Sequence, residues 1–211
     1  MKICEYKGIP IRLHISFLIL AAALVLFQLI SAGFQSALSA VAVGFLLFGS
    51  VALHEIGHAM MARVYDIKTR SITLYPFGGI ALIEGMGEND QQERNIALAG
   101  PAVNFLLAGI TVPFVIINIP FAMEFCFLNV LMGVFNLFPA YPMDGGRVLR
   151  SIMAPRIGSL KATKIAVKMS LIFSIMFCII SYVVKWPALF IIGIFLFIIN
   201  IPEKKRLDKL G

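Results

Sequence analysis

The chain has 211 residues, of which 60% are hydrophobic and 14% are charged, and its net charge at pH 7 is +7. Soluble domains are about 45–50% apolar, so this composition excludes an ordinary water-soluble domain and predicts an integral membrane protein. In a membrane protein the positive charge indicates basic loops that face an anionic leaflet, rather than nucleic-acid binding. Three scattered cysteines without C-x-x-C spacing predict neither a disulfide framework nor a thiolate metal site.

Six apolar stretches are predicted to be transmembrane helices, because each is long or nearly long enough to cross the hydrocarbon core of a bilayer. We therefore predict an all-α integral membrane protein with a single transmembrane domain and no soluble accessory domain. Met1 to Leu13 is predicted to be a basic tail, Ser31 to Ala40 a turn, Arg147 to Lys164 a basic connection and Glu203 to Gly211 a charged tail. The predicted spans are residues 15–33, 41–62, 96–118, 121–138, 165–184 and 186–201.

The second span carries the sequence His54-Glu55-Ile56-Gly57-His58 near its end. Histidines at i and i+4 project from one face of a helix, where their imidazoles can hold one Zn²⁺ ion. Glu55 is next to the first histidine and can take a proton from a metal-bound water. Such polar groups are costly in hydrocarbon, which favours a functional site over a chance polar cluster satisfied by neighbouring helices.

Residues 66–94 interrupt the apolar pattern between the second and third spans. Ile67 to Tyr75 is β-branched and roughly alternating, and Ile80 to Ile83 follows a Pro-Phe-Gly-Gly turn, so we predict a small membrane-associated β-hairpin. Its unpaired edge can bind an extended peptide by strand addition, whereas the alternative is an inert connector. The candidate substrate-binding residues of the turn are Phe77, Gly78 and Gly79.

Polar residues also mark the third and fourth spans. Gly100, Asn104 and Ala108 share one face of the third span, a pattern typical of close helix packing, and Asn104 is predicted to form a helix–helix hydrogen bond. A direct role of Asn104 at the site stays open. Asn129 and Asn136 share one face of the fourth span, which ends in two prolines and two glycines that do not sustain a regular helix.

The basic residues predict the orientation of the chain. With six spans, every lysine and arginine except Lys185 falls on one side of the membrane. The positive-inside rule then predicts a multi-pass protein of the cell membrane with both termini in the cytoplasm. The second and fourth spans both end at this side, close to Arg63 and Arg147, so the active site is predicted to lie toward the cytoplasm.

Asp144 is the candidate for a third metal ligand, because the same orientation places it at a depth similar to that of His54 and His58. Two histidines and one carboxylate, with water in the fourth position, are the arrangement of a hydrolytic zinc site. The alternative is an aspartate at a helix end that pairs with Arg147.

The H-E-x-x-H motif, together with the segment Asn-Leu-Phe-Pro-Ala-Tyr-Pro-Met-Asp-Gly-Gly from Asn136 to Gly146, resembles the site-2 protease family of intramembrane zinc metalloproteases, in particular its compact prokaryotic and archaeal branch. The resemblance covers nearly all of the chain. It implies one zinc ion held by His54, His58 and Asp144, with Glu55 as the catalytic acid and base. Many compact members carry cytosolic CBS domains after the last span. This sequence shows none, so either it is a shorter member or such a domain was removed, and nucleotide control through it stays open.

The resemblance also implies the reaction and its partners: regulated intramembrane proteolysis, in which a membrane-anchored protein substrate is cut in or near its transmembrane segment within the lipid bilayer. Asn136 is a candidate donor of a hydrogen bond to the developing oxyanion or to the bound peptide. The competing function is metal transport, which should need ligands near the midplane and access from both faces. Nucleic acid is not an expected partner, and the substrate and oligomeric state stay open.

Overall fold

A computed structural model describes residues 1–76, 78–86 and 88–208. This part of the chain contains six helices and four strands, and it divides into two compact units. The first unit comprises Met1–Met86 and Ala99–Gly133, and the second comprises Gly87–Leu98 and Val134–Gly211. In chain order the elements are β1 (Lys2–Tyr6), β2 (Ile9–Leu13), α1 (Ile15–Val64), β3 (Thr69–Tyr75), β4 (Gly78–Ile83), α2 (Asp90–Ile116), α3 (Ala122–Asn136), α4 (Asp144–Ile157), α5 (Ser159–Val184) and α6 (Pro187–Asp208).

The first unit contains a four-stranded sheet in the order β1-β2-β3-β4. The outer pairs, β1–β2 and β3–β4, are antiparallel, and β2 runs parallel to β3. The prediction of a basic tail from Met1 to Leu13 is therefore wrong, because these residues form β1 and β2. Lys7 and Gly8 join them with φ values of 48° and 85°, as a tight hairpin turn of the primed type requires.

The sheet packs against the second half of α1. Alternating residues of β2 and β3 point into one apolar core, which they share with Val51 and Ala59 of α1. Burying each of the larger aliphatic side chains contributes about 1.5–3 kcal/mol, so this core fixes the sheet beside the helix segment that carries the histidine motif. The sheet residues of this core are Ile9, Ile11, Leu13, Ile72 and Leu74.

Helix α1 is 50 residues long and has one interior residue outside helical geometry, Gly33, with φ 83° and ψ 178°. A straight helix of this length would extend roughly 75 Å, against a hydrocarbon core of about 30 Å. The predicted turn from Ser31 to Ala40 is thus reduced to a break at Gly33. The hydroxyls of Ser31 and Ser36 donate to carbonyls four residues earlier, so the polar residues that suggested a turn are satisfied within the helix.

Helices α2, α5 and α6 are longer than their predicted spans, whereas α3 is shorter. Helix α2 begins at Asp90 rather than at residue 96, because the Asn89 side chain caps it by accepting from the backbone N–H groups of Gln91 and Gln92, both at 3.0 Å. Helix α6 continues to Asp208, so most of the predicted charged tail is helical.

The second unit contains a helix where the sequence predicted a connection. Helix α4 occupies most of the segment between Arg147 and Lys164, and Gly158, with φ 84°, separates it from α5. Gly145 and Gly146 lie in the first turn of α4, where a Cβ on Gly146 would lie 2.6 Å from the carbonyl carbon of Ala140. These glycines allow a close approach of backbone to backbone and do not break the helix.

Buried polar groups hold the loop that precedes α4. Ser170 of α5 donates its hydroxyl to the Tyr141 carbonyl at 2.7 Å, and the Asn200 amide of α6 donates to the same carbonyl at 2.9 Å. Ser170 and Asn200 are both fully buried. Because a hydrogen bond in a low-dielectric interior is costly to leave unmade, these contacts fix the loop that leads into α4.

Three of the described helices are long and apolar enough to cross a membrane by length and composition, namely α1, α2 and α5. Helix α3 is apolar but only 15 residues long. The prediction of a mostly helical protein with helices long enough to span a membrane is thus confirmed, and a small sheet accompanies the helices.

Candidate functional site

Helix α1 presents its two motif histidines side by side in the first unit. The Nε2 atoms of His54 and His58 are 3.1 Å apart, and their rings are nearly perpendicular, at 86°. Two imidazole nitrogens bound to one tetrahedral zinc, at Zn–N distances of about 2.0–2.1 Å, lie about 3.3–3.4 Å from each other. The two rings, 4% and 6% exposed, are therefore arranged as two ligands of a single ion.

Asn104 of α2 determines which nitrogen of His54 is available. Its Oδ1 lies 2.5 Å from His54 Nδ1. A carbonyl oxygen only accepts, so Nδ1 carries the hydrogen and donates it, and the lone pair of the neutral ring is on Nε2. The predicted helix–helix hydrogen bond of Asn104 is confirmed, and one of its partners is a motif histidine.

Two glycines let α1 and α2 approach closely at the histidines. A Cβ on Gly57 would lie 2.8 Å from Val103 Cγ2 and 2.9 Å from the Ala99 carbonyl oxygen. A Cβ on Gly100 would lie 2.5 Å from His58 Cε1 and 2.7 Å from His54 Cε1. The small-residue face predicted for the third span is thus the surface on which both imidazoles rest.

Strand β4 covers Glu55. The Glu55 carboxylate is 7% exposed and accepts a hydrogen bond from the Ala81 N–H at 3.0 Å. Gly79 lies against the same side chain, where a Cβ would overlap Glu55 Cγ. Of the candidate turn residues, Gly78 and Gly79 belong to β4, and Phe77 lies outside the described residues. The contact of Ala81 was not predicted, because backbone N–H groups leave no signal in a sequence.

The remaining candidates belong to the second unit. Asn136 is the last residue of α3, and Asp144 is the first residue of α4; both are half-buried. A carboxylate in the first turn of a helix is favoured by the helix dipole, so Asp144 is stable as the anion that metal binding requires. Two imidazoles and one carboxylate are a donor set suited to a metal ion, and His54, His58 and Asp144 are residues of these types.

Comparisons with known proteins show which family the chain resembles. The family model of peptidase family M50 matches residues 42–122 and 116–177. A zinc metalloprotease of Methanocaldococcus jannaschii is 37% identical over 172 residues, which are 79% of this chain and 49% of the relative. Stage IV sporulation protein FB of Bacillus subtilis is 29% identical over 139 residues, which are 64% of this chain and 48% of the relative. This chain therefore spans about half the length of these curated relatives.

A solved structure is similar to the whole fold. The site-2 protease from Methanocaldococcus jannaschii has a TM-score of 0.74 and 31% sequence identity, and the match covers 97% of this chain and 94% of that chain. The resemblance drawn from the two sequence motifs is thus confirmed by sequence and by fold.

Substitution of Gly100 by alanine tests the histidine pair directly. Because the added methyl group would displace both imidazoles, we expect Gly100→Ala to weaken zinc binding by about 10–100-fold, as other disturbances of ligand orientation do. Competition with a chromophoric chelator on the purified chain in detergent measures this affinity. Gly109→Ala on the same helix is the control, since nothing lies within 4 Å of a Cβ there. Equal zinc affinity in the two variants would contradict the proposed role of Gly100.

Proposed function

This chain belongs to peptidase family M50, and on that premise we propose that it is an intramembrane zinc metalloprotease, which hydrolyses peptide bonds in or near the transmembrane segments of membrane-anchored proteins. The observation that carries the proposal is the buried pair of imidazoles on α1, with Nε2 atoms 3.1 Å apart and a buried carboxylate beside the first of them. Long apolar helices in the same chain support the membrane as its setting.

One zinc ion per chain would be held by His54, His58 and Asp144. The tautomer of His54 and the spacing of the two rings support the histidines, and the position of Asp144 in the first turn of α4 supports an ionised carboxylate. When bound, zinc lowers the pKa of a coordinated water and polarises the carbonyl of the scissile bond.

Glu55 would move the protons of the reaction. Its carboxylate is buried and oriented by the Ala81 N–H, so it can take a proton from the attacking water and pass it to the leaving amine. Asn136, at the end of α3, is a candidate donor of a hydrogen bond to the developing oxyanion or to the peptide. A carboxylate in this role distinguishes hydrolysis from metal transport, which does not need a base.

The outer edge of β4 would bind the substrate in extended form. Strand β4 is the last of the described strands in the sheet, and the Ala81 N–H points to Glu55 and away from β3. A peptide bond inside a helix is shielded by its own hydrogen bonds, whereas a strand added to this edge would expose its backbone beside Glu55. Gly78, Gly79 and the adjacent Phe77 stay candidate contacts of that strand.

The orientation follows from the basic residues. Six spans in the plasma membrane, with both termini and the active site toward the cytoplasm, would place every lysine and arginine except Lys185 on the cytoplasmic side. The break of α1 at Gly33 supports two spans within this helix.

Glu55→Gln should remove the base and keep the zinc ligands. We expect cleavage of a single-span test peptide to fall by at least about 100-fold, because general acid–base catalysis typically contributes 10²–10⁴-fold. Mass spectrometry of the products measures cleavage, and metal analysis of the same sample measures zinc.

Glu124→Gln in the first turn of α3, where Glu124 is exposed, is the matched control and should cleave normally. Full activity of Glu55→Gln would reject Glu55 as the base, and zinc flux into vesicles without any cleavage would favour the transporter.

Ala81→Pro tests strand addition. A strand added at this edge would accept the outward Ala81 N–H in place of Glu55, and proline removes that N–H. Loss of one backbone hydrogen bond should weaken binding of an uncleaved peptide by about threefold to tenfold. Binding of a fluorescent single-span peptide is measured in the Glu55→Gln background, where the peptide is not cleaved and the measured affinity does not depend on catalysis by Glu55. Ala81→Val keeps the N–H and serves as the control; a proline variant that binds as tightly as the valine variant would exclude this edge.

Cysteine labelling tests the orientation. Cys4 lies exposed in β1, and a Lys185→Cys variant provides a site on the opposite side, with Cys126 and Cys178 replaced by serine. A membrane-impermeant maleimide should label position 185 on intact cells and Cys4 only after permeabilisation. The reverse pattern would overturn the predicted sidedness.

A further inference from the structure

We propose that Asn104, Asn129 and Ser50 are positioning residues, which hold His54 in the one neutral tautomer that can bind a metal through Nε2. The inference rests on the proposed function, because it assigns these residues a role toward the zinc ligand. None of the three carries out chemistry; Asn104 is hydrogen-bonded to the imidazole, and Asn129 and Ser50 are hydrogen-bonded in turn behind it.

Backbone carbonyls determine which groups donate and which accept in this chain of hydrogen bonds. The Asn129 Nδ2 donates to the carbonyl oxygen of Phe125 at 2.9 Å and to Ser50 Oγ at 2.9 Å. A backbone carbonyl cannot donate, so the Asn129 atom that faces Phe125 must be the nitrogen. Ser50 in turn donates its only hydrogen to the Leu46 carbonyl at 3.0 Å and is left to accept. Two backbone carbonyls therefore fix the orientation of the Asn129 amide.

The orientation of the Asn129 amide determines that of the Asn104 amide, which contacts His54. Both hydrogens of Asn129 Nδ2 are used in these two bonds. The Asn129 Oδ1 is directed toward α2 and accepts from Asn104 Nδ2 at 3.0 Å. The Asn104 amide is then oriented with Oδ1 toward His54, 2.5 Å from Nδ1. Nδ1 must carry the hydrogen to make this bond, which leaves the lone pair on Nε2, 3.1 Å from Nε2 of His58.

Burial makes this orientation hard to reverse. Ser50, Asn104 and Asn129 are 0% exposed, and His54 is 4% exposed. Reversing either amide would place acceptor against acceptor or donor against donor, and a buried polar group without a partner costs about 1–3 kcal/mol. The chain of hydrogen bonds joins α1, α2 and α3 within the first unit, so packing of these helices and the ligand state of His54 depend on the same groups.

The test measures the tautomer and the zinc affinity separately. In the metal-free chain with ¹⁵N-labelled histidine, the two ring-nitrogen shifts of His54 should show a protonated Nδ1 and an unprotonated Nε2; His54→Gln assigns the signals. Asn104→Leu should mix the tautomers and weaken zinc binding by about 10–100-fold, the usual effect of losing a group that orients a metal-bound histidine.

Ser50→Ala is the second variant: the Ser50 hydroxyl bonds to the Leu46 carbonyl and to the Asn129 amide, so its effect on the imidazole passes through Asn129 and Asn104. It should lower the population of the Nδ1–H tautomer and weaken zinc binding by at least threefold, and it keeps this test informative if Asn104→Leu does not fold. Thr111→Val is the control, since Thr111 is a buried polar residue of α2 whose hydroxyl donates within its own helix, to the Leu107 carbonyl. Its shifts and affinity should match the wild type.

An Nε2–H tautomer in the wild-type chain would overturn the inference, and so would wild-type shifts and affinity in Ser50→Ala. Peptide cleavage is not a readout in this experiment. Failure of the proposed protease function would instead appear as absence of zinc binding or cleavage in the wild-type chain, so the two failures can be told apart.

Discussion

The separation of helices α1 and α2 is the constraint on which the rest of the site depends. At Gly100 the surface of α2 carries no side chain, so both imidazoles can rest on its backbone. One turn further along the same face, Asn104 reaches the first histidine from the side. A bulkier residue at position 100 would push the rings away and break the contact of Asn104 at once, which couples helix packing to the geometry of the histidines.

Buried polar groups in both units are held by the same physical rule. In a chain that is 60% hydrophobic, an amide or hydroxyl placed between helices must find a protein partner, because no water competes for it. In the first unit these partners orient His54; in the second, Ser170 and Asn200 both bind the carbonyl of Tyr141 and hold the loop before Asp144. Each unit thus uses buried amides and hydroxyls to fix the backbone or side chain that its candidate site residue needs.

The sheet contributes through its backbone more than through its side chains. Its buried face anchors it to α1, and its outer edge turns an N–H group toward Glu55. An exposed edge strand is usually a liability in a protein, yet this one lies beside the candidate base, where an extended peptide would be useful. Gly79 at the start of the strand leaves the space that the Glu55 side chain occupies.

The sequence by itself determined the membrane class, the metal-binding residue types and the family, because apolar runs and the H-E-x-x-H spacing depend only on local geometry. It also identified the close-packing face of α2. It did not reveal that the first 13 residues form two strands of which β2 pairs with β3, that the predicted turn from Ser31 to Ala40 is a single-residue break at Gly33, or that Gly145 lies inside α4. Those outcomes are decided by partners distant in sequence: a strand needs its neighbour, and a glycine serves as a break or as a contact according to what packs against it. The tautomer of His54 was likewise settled only by tertiary structure, since its direction begins at the Phe125 carbonyl and reaches the ring through two amides from other helices.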